Sequence, residues 1–600
     1  MTGRPEREWS LRAPDPGLVR SVCAGTDLSS TAAAILVNRG IAGSADVARF
    51  LHGTVRDLTA PFLMKDLEKA SARLVAAGIR NEPVLIYADY DADGATGAAC
   101  LFLFLKEVFP GLPVVVHQNQ RIADGYGLKL ARLAEAAASG TKVVVTVDCG
   151  ISDCEAVEFA AGRGMDVIVT DHHEPGAALP PAFAVVDPKR HDCPHPEKTL
   201  AGVGVAFLLA CGVRRLLRDA GTCGADDSLP NMRRYLDLVA LGTVADMVPL
   251  RGDNRLFVKA GLEEMRARPR PGIRALASAA GIAMETIDEG DLAFRIAPRL
   301  NAAGRVGDAR RSADLLVTRD AGEAFRIAAE LNVENSRRQR EEERISREAE
   351  AALLEGAPPS SLGAIVLGDP RWHPGVLGIV ASRLAQKFHR PTVLLQIEAD
   401  EARGSCRSVD GFPLVDALAA LAPLLSRYGG HHQAAGLALS SANLPAFRDA
   451  FGRLAAEYAS RRGGRPCLEI DAQVGLEDIS TRLMEDFERL RPFGVGNEEP
   501  VLLARNVAAE RGSAFGADGR HLKFEVAASG RRFEAVAFGR DGLPASAGGR
   551  LDLVFTPQRS HFRGARSIRL LFRDARPAER AGLAGGGFGG GAKGEGPCSG

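Results

Sequence analysis

Net charge is absent from this chain: Lys+Arg and Asp+Glu both number 75 in 600 residues. Bulk attraction to a polyanion is therefore excluded as an argument, and any nucleic-acid site has to be a local basic patch. Paired cysteines are missing too. The ten cysteines are scattered without CxxC spacing, which excludes a disulfide framework and points to a reducing compartment. No apolar run reaches the length needed to span a bilayer, and the opening MTGRPEREWS lacks the apolar core of a secretory leader. The expected location is the cytoplasm, with no membrane partner. What is present is an ordinary soluble composition, 46% hydrophobic and 25% charged. Six hundred residues exceed what one core holds, so several domains are expected.

Little chemistry is visible in residues 1–75. Short apolar runs then alternate with amphipathic stretches. Strands are expected at Val84–Ala88 (VLIYA), 114–116, 142–147 (KVVVTV) and Asp166–Thr170 (DVIVT), with helices at 95–108, 128–138 and 154–163. This alternation predicts an α/β fold with a parallel, doubly wound sheet, whose ligands bind beyond the carboxyl ends of the strands. A charged stretch at 334–350 (ENSRRQREEERISREAE) predicts a long, solvated connecting helix with Glu334–Arg338 and Glu343–Arg347 as i,i+4 pairs. A second strand-helix-strand pattern follows at 364–367, 374–387 and 392–396, in a domain that ends near residue 460. From about 467, alternating strands at 521–526, 533–538, 551–556 and 568–572 suggest a small barrel of the OB type. The Gly-rich end, GGGFGGGAKGEGPCSG, reads as disordered.

The acids and histidines fall at the strand ends. The first strand runs into Asp89-Tyr90-Asp91-Ala92-Asp93-Gly94, the next ends at Asp148-Cys149-Gly150, and another ends at Asp171-His172-His173. The apolar stretch YLDLVALGTVAD then delivers Asp246. Alternate residues of an extended segment share a face, and carboxylates that close repel one another unless cations neutralise them. Carboxylates with one or two imidazoles suit Mn²⁺ or Mg²⁺, and the nitrogen ligand favours Mn²⁺. Zinc fits less well, with so many oxygens and no thiolate. One carboxylate bridging two ions would give the arrangement used for in-line attack on phosphate esters. Taken singly, an Asp at a strand end is usually a helix N-cap or a turn residue. Asp171 could be such a cap, and Asp237, inside the apolar run, reads as structural.

In order along the chain, DYDADG, VDCG, TDHH and LGTVADMVPL resemble the motifs of the DHH phosphoesterase superfamily. RIADGYGL, FRIAPRLNAAGR, WHPGVLGIVASRLA, GSCRS, GGHHQAAGL and RPFGVGN resemble its RecJ exonuclease branch. The resemblance spans roughly residues 80 to 575. It implies a DHH phosphoesterase domain over 76–318 after an N-terminal segment at 1–75, a connecting helix at 319–358, and a DHH-associated (DHHA1) substrate-binding domain at 359–462. An OB-like nucleic-acid-binding domain at 463–577 and a Gly-rich tail at 578–600 complete the chain.

The implied activity is two-metal-ion hydrolysis of single-stranded DNA from the 5′ end, releasing 5′-mononucleotides, in DNA repair and recombination. Two divalent cations, Mn²⁺ or Mg²⁺, would be held by Asp91, Asp93, Asp148, His172 and Asp246, with Asp148 bridging and Asp89 ligating or supporting. His173 would lie near the scissile phosphate, stabilising its charge or assisting proton transfer, and Asp171 would orient the histidines from behind. Ser405 and Arg407 of GSCRS, His431, Arg121, Arg299, Arg305 and His373 are the implied substrate-binding residues. Outside that resemblance, GSCRS and GGHHQAAG read as ordinary Gly-rich loops and His373 as a structural histidine. The chain departs from the family at Ile122, where an aromatic ring is usual. Implied partners are single-stranded DNA and either a single-strand-binding protein or a helicase, for an enzyme expected to be monomeric. The rival readings are a DHH phosphodiesterase acting on short oligonucleotides, cyclic dinucleotides or pyrophosphate, and a DNA-binding scaffold without catalysis.

Overall fold

A computed structural model describes residues 7–121, 123–221, 229–355, 358–462, 466–510, 512–516, 519, 521–538, 549–562 and 565–578. Ile122 and the Gly-rich tail from residue 579 onward lie outside them. The first alternating region forms one sheet. Its strands are β1 (Val84–Ala88), β2 (Val114–Gln118), β3 (Val143–Val147), β4 (Asp166–Thr170) and β5 (Ala184–Val186). They lie in the order β2-β1-β3-β4-β5, and every pair is parallel. Three-residue β5 is too short for a periodic signal and has no counterpart in the sequence reading.

The strands are unbroken apolar runs because both faces are covered. Val84, Ile86 and Ala88 of β1 join one core with helices Ala92–Val108, Gly202–Asp219 and Leu236–Ala245. Leu85 and Tyr87 join the opposite core, with Leu133 and Val157. The chain leaves β1 for one neighbour, β2, and then returns to the other, β3. Such a reversal opens a crevice at the carboxyl ends of the strands.

Asp246 reaches that edge from a helix. Leu236–Ala245 is buried all round and Asp246 is its C-cap, so its apolar run carried no helical period to read. Asp237 near its start is buried and held by two guanidinium nitrogens of Arg270 at 2.9 and 3.0 Å, a structural pairing as expected.

The connecting helix spans Ala321–Glu355, and a solvated connector is the wrong description of it. Ile327 and Leu331 join the core of the first sheet, whereas Ile345 and Leu353 join a cluster with Val376 and Leu394 beyond it. Between these stretches Asn335, Arg338 and Glu342 are buried. Arg338 donates to Asn335 at 2.8 Å and pairs with Glu342, which also accepts from Arg383 at 2.9 Å. Arg338 thus turns inward instead of pairing with Glu334, and Arg347 donates only to the Glu343 backbone carbonyl. Charges here are buried because a helix shared by two cores has little free face, and they are tolerated because they are paired.

The next domain is a five-stranded sheet of β6 (Ile365–Gly368), β7 (Thr392–Ile397), β8 (Glu401–Arg407), β9 (Arg427–His431) and β10 (Ala434–Ser440). The order is β9-β10-β8-β7-β6, and only β6–β7 is parallel. The GSCRS segment is therefore strand β8 and its exit, not a loop. A Cβ on Gly404 would lie 1.9 Å from the Leu394 carbonyl oxygen, so this glycine serves close strand approach. GGHHQAAG forms the tight hairpin between β9 and β10.

The chain divides into two compact units. The second holds 469–485 and the residues from 500 onward, where a seven-stranded sheet closes on itself through the extra pairing Ala508↔Ala527. The stretch 486–499, which carries RPFGVGN, packs within the first unit. Arg255 anchors it there. Its buried guanidinium lies 3.6 Å from the centre of the Phe50 ring and donates to the carbonyls of Phe50, Leu490 and Arg491 at 3.1, 3.0 and 2.6 Å. Arg39 of the helix Ser30–Asn38 and its cap pairs with Asn497, so the N-terminal segment braces this motif. Among the described residues no helix is long and apolar enough to cross a membrane.

Removing one partner of a buried ion pair strands the other. Asp237→Ala is expected to cost about 3 kcal/mol in urea unfolding. Equal stability of variant and parent would show that the Arg270 pair is immaterial to the fold.

Candidate metal centre and anion pocket

Each acid is set by the element it leaves. Asp89 follows β1; its N–H donates to the Val147 carbonyl (3.2 Å) and its own carbonyl accepts from Gln118 (2.9 Å). Asp91 is the N-cap of helix Ala92–Val108, its Oδ1 accepting from the N–H groups of Asp93 and Gly94. Asp93, inside the first turn, accepts from the N–H groups of Gly202 (2.7 Å) and Val203 (2.9 Å). Those are otherwise orphaned donors at the start of helix Gly202–Asp219. Gly94 is required here, because a Cβ would meet the Asp89 carbonyl oxygen at 2.5 Å. Asp148 follows β3 with left-handed backbone, φ 62°.

These side chains converge. His172 Nε2 lies 3.1 Å from Asp148 Oδ1, 3.6 Å from Asp246 Oδ2 and 3.9 Å from Asp93 Oδ2. Three sets of potential ligand atoms come within 4.8 Å of one another: Asp89, Asp91 and Asp148; Asp93, His172 and Asp246; Asp148, His172 and His173. Asp148 belongs to two sets and His172 to two. Asp89 Oδ1, Asp148 Oδ1, His172 Nε2 and Asp246 Oδ2 are all buried without a hydrogen-bond partner. Buried oxygens and a nitrogen aimed at one another, with no proton donor between them, fit divalent cations.

The electrostatics agree. Burial first, and the neighbouring carboxylates second, push Asp89, Asp148 and Asp246 well above the usual carboxylate range and Asp93 up to about 7. Burial, with His173 beside it, pushes His172 down to about 3, which keeps its lone pair available. Asp171 is fully buried, yet hydrogen bonds from His173 and backbone hold it below its ordinary value. It accepts from His173 Nδ1 at 2.8 Å and from the N–H groups of Ile151, His172 and His173. His173 is nearly half exposed, and against the effect of burial the Asp171 hydrogen bond raises its pKa.

Beside the acids lies a basic pocket. The Arg121 guanidinium sits 5.1 Å from the centre of the Tyr90 ring, between Asp89 and Asp91 in sequence. Burial, then Arg121, lowers Arg407; burial, then Arg121 and Arg338, lowers Arg305 to about 9. Among the described residues no carboxylate lies within ion-pair reach of Arg121, Arg305 or Arg407. Ser405 and Arg407 share a face of β8, and a Cβ on Gly378 would lie 3.4 Å from Ser405 Oγ and 2.6 Å from the Arg407 guanidinium. His431 is a charge neighbour of the same groups: after burial, Arg407 and His173 lower it. Arg299 and His373 are not drawn in. Arg299 donates to Asn332 at 3.0 Å and to the Arg295 carbonyl at 2.6 Å. His373 is a helix N-cap accepting from the Gly375 N–H, and the carbonyl of that same glycine accepts from Arg305.

The sequence reading missed three residues. Asp187 follows β5 as Asp148 follows β3. It is fully buried with Oδ2 unpaired, and burial pushes it up to about 7; an apolar run ending in Asp was the available signal. Tyr126, in RIADGYGL, is part-exposed, with its hydroxyl 3.1 Å from His173 Nδ1 and its ring edge-on to that imidazole. Asn301, in FRIAPRLNAAGR, accepts from the Ala92 N–H at 2.7 Å. Sequence carries no pattern for the last two contacts.

Family models match three stretches: "DHH family, N-terminal domain" at 83–243, "DHHA1 domain" at 361–457 and "RecJ OB domain" at 470–574. The single-stranded-DNA-specific exonuclease RecJ of Dickeya dadantii (strain 3937) is 36% identical over 594 residues, covering 96% of this chain and 98% of the relative. The solved structure of Thermus thermophilus RecJ in complex with Mn²⁺ superposes with a TM-score of 0.81 at 32% identity, covering 96% of this chain and 80% of that one. The same enzyme in complex with Mg²⁺ gives 0.75 at 30% identity, covering 96% and 79%.

Carboxyls with raised pKa destabilise the ion-free fold as pH climbs from the unfolded value near 4 through about 7, because the folded state then holds protons that the unfolded state has lost. Protons and cations compete for the same oxygens. The rise in melting temperature on adding Mn²⁺ is therefore expected to be larger at pH 8 than at pH 5.5. A rise independent of pH would mean that the cations bind elsewhere.

Proposed function

The chain belongs to the RecJ family of the DHH phosphoesterase superfamily, and from that premise we propose that it is a metal-dependent exonuclease. It hydrolyses single-stranded DNA from the 5′ end and releases 5′-mononucleotides, in DNA repair and recombination. The observation that carries this reading is the sharing of buried Asp148 between two sets of ligand atoms, one with Asp89 and Asp91 and one with the histidines. Asp91, Asp93, Asp148, His172 and Asp246 would hold the ions, Asp148 as the residue shared between them and Asp89 ligating or supporting. Two divalent cations, Mn²⁺ or Mg²⁺, would supply Lewis-acid activation of a water and offset charge on the phosphodiester.

The chain's own groups do the rest. Asp171 fixes His173, and His173, part-exposed at the mouth of the cluster, donates to the phosphate or hands a proton to the leaving oxygen. Burial holds His172 neutral, and its unpaired Nε2 faces the carboxylates. Arg121, Arg305 and Arg407, with Ser405, grip a terminal phosphate in a pocket where, among the described residues, no carboxylate is in ion-pair reach of them, and His431 borders it. His373 supports that pocket indirectly, through Gly375, whose carbonyl accepts from Arg305. Family membership and this pocket beside the acids support the 5′ polarity. Tyr126 offers an aromatic face near His173. Binding of the strand by the C-terminal barrel follows from the family reading of an OB domain.

Single-stranded DNA is the proposed substrate, delivered with the help of a single-strand-binding protein or a helicase to a cytoplasmic, monomeric enzyme; family resemblance is the support for these partners. All five proposed ligands are present, which disfavours a scaffold without catalysis. Full-length likeness to exonucleases disfavours a phosphodiesterase for dinucleotides.

Digestion of end-labelled single strands with Mn²⁺, then with chelator, tests the activity: mononucleotides should appear only with the ion. Asp148→Asn and Asp148→Ala are expected to lower cleavage by about 10³-fold or more while strand binding persists; near-normal turnover by either would remove Asp148 from the centre. Arg407→Ala should raise KM about tenfold for 5′-phosphorylated ends and little for 5′-hydroxyl ends. Equal losses on both would contradict phosphate recognition.

A further inference from the structure

Met247 is a locally unfavourable residue in a rigid place. The helix Leu236–Ala245 ends at Asp246, and the Met247 N–H turns back to the Val244 carbonyl at 3.3 Å with left-handed backbone, φ 58°. Glycine is the usual occupant of that position, since a Cβ there is strained. Met247 is also 70% exposed, although its neighbours Val248 and Leu250 pack into the core. Neither stability nor solubility accounts for such a choice. Backbone strain kept at a residue next to a site acid is instead a pointer to a functional constraint.

The backbone on either side of Met247 is held. Before it lies the buried helix. After it, Leu250 donates its N–H to Val495 at 2.8 Å and Arg251 donates to the Gly496 carbonyl at 2.8 Å. A Cβ on Gly496 would sit 3.3 Å from Pro249 Cβ, and Val495 on that turn is itself part-exposed. The RPFGVGN motif thus clamps the segment carrying Met247. Immediately before Met247, Asp246 directs Oδ2 toward His172 Nε2 at 3.6 Å.

We infer that Met247 is a substrate-contacting residue that packs against the base of the nucleotide being released. The inference rests on the exonuclease reading above and deepens it. A thioether is flexible and polarisable, so it fits any of the four bases. An enzyme that removes nucleotides regardless of sequence needs such a contact. By seating the base, Met247 holds the adjoining phosphodiester against Asp246 and its neighbours.

The inference separates stability from activity. Met247→Gly relieves the left-handed strain, so its melting temperature should equal or exceed the parent's, and Mn²⁺ binding followed by electron paramagnetic resonance should be unchanged. On an ordinary 5′-phosphorylated single strand its KM should rise about tenfold. On a strand whose first two nucleotides are abasic, variant and parent should share one KM. Met247→Leu, which keeps the apolar contact, should stay near the parent on the ordinary strand. Parent-like kinetics of Met247→Gly on the ordinary strand would overturn the inference, leaving Met247 a poor helix cap. Equal losses on ordinary and abasic strands, or lost Mn²⁺ binding, would overturn it by tracing the effect to Asp246. Absence of Mn²⁺-dependent release by the parent chain is a different failure, which would overturn the exonuclease reading and this contact with it.

Discussion

Mutual repulsion among Asp89, Asp93, Asp148 and Asp246, three buried carboxyls and one part-buried gathered at one sheet edge, sets the terms on which the rest of this chain folds. Removed from water, such groups hold protons until cations take their place. The surrounding polypeptide therefore has to fix each oxygen without neutralising it. Backbone donors do this for Asp93, through Gly202 and Val203, and for Asp171, through Ile151, His172 and His173. Among the described residues no lysine or arginine forms an ion pair with Asp89, Asp93, Asp148 or Asp246. The result is a set of oxygens and one imidazole nitrogen whose unmet bonding capacity points inward.

Rigidity at that edge comes from distant parts of the chain. The stretch 486–499 leaves the barrel unit and returns to the first unit, where Arg255 ties its carbonyls to the N-terminal segment. This tie stands directly behind the segment that carries Asp246. A buried guanidinium without a carboxylate is stable only if enough carbonyls accept from it, which explains why Arg255 gathers so many. The long helix Ala321–Glu355 makes a similar tie between the cores of the two sheets of the first unit.

Charge is partitioned in a chain with none to spare overall. Arg121, Arg305 and Arg407 are grouped with no carboxylate in ion-pair reach among the described residues, and Arg121 lowers the affinity of Arg305 and Arg407 for protons. A cluster of unmatched cations is an invitation to phosphate. Placed beside a cluster of unmatched anions, it would let a neutral protein recognise a polyanion, because cations held by the acids would reverse their sign.

Strand runs such as VLIYA and DVIVT were legible because a strand covered on both faces is a short, continuous apolar word, and the acids could be read directly after them. DYDADG, VDCG and TDHH carried the candidate ligands for the same reason. Asp246 was legible as an acid but not as a helix terminus, since LDLVALGTVA is apolar on every side. Arg338 and Glu342 looked solvated, because nothing local reveals that a helix is shared by two cores. GSCRS looked like a loop, because a glycine needed for strand approach and a glycine needed for a turn are written alike. The amino-acid sequence by itself determined which residues could ligate, cap or span, for those properties follow from chemical type and spacing. Only the tertiary structure decided that Asp148 stands between two ligand sets, that RPFGVGN braces Asp246 and that three arginines share one pocket, because those relations depend on distances across the fold that no local pattern encodes.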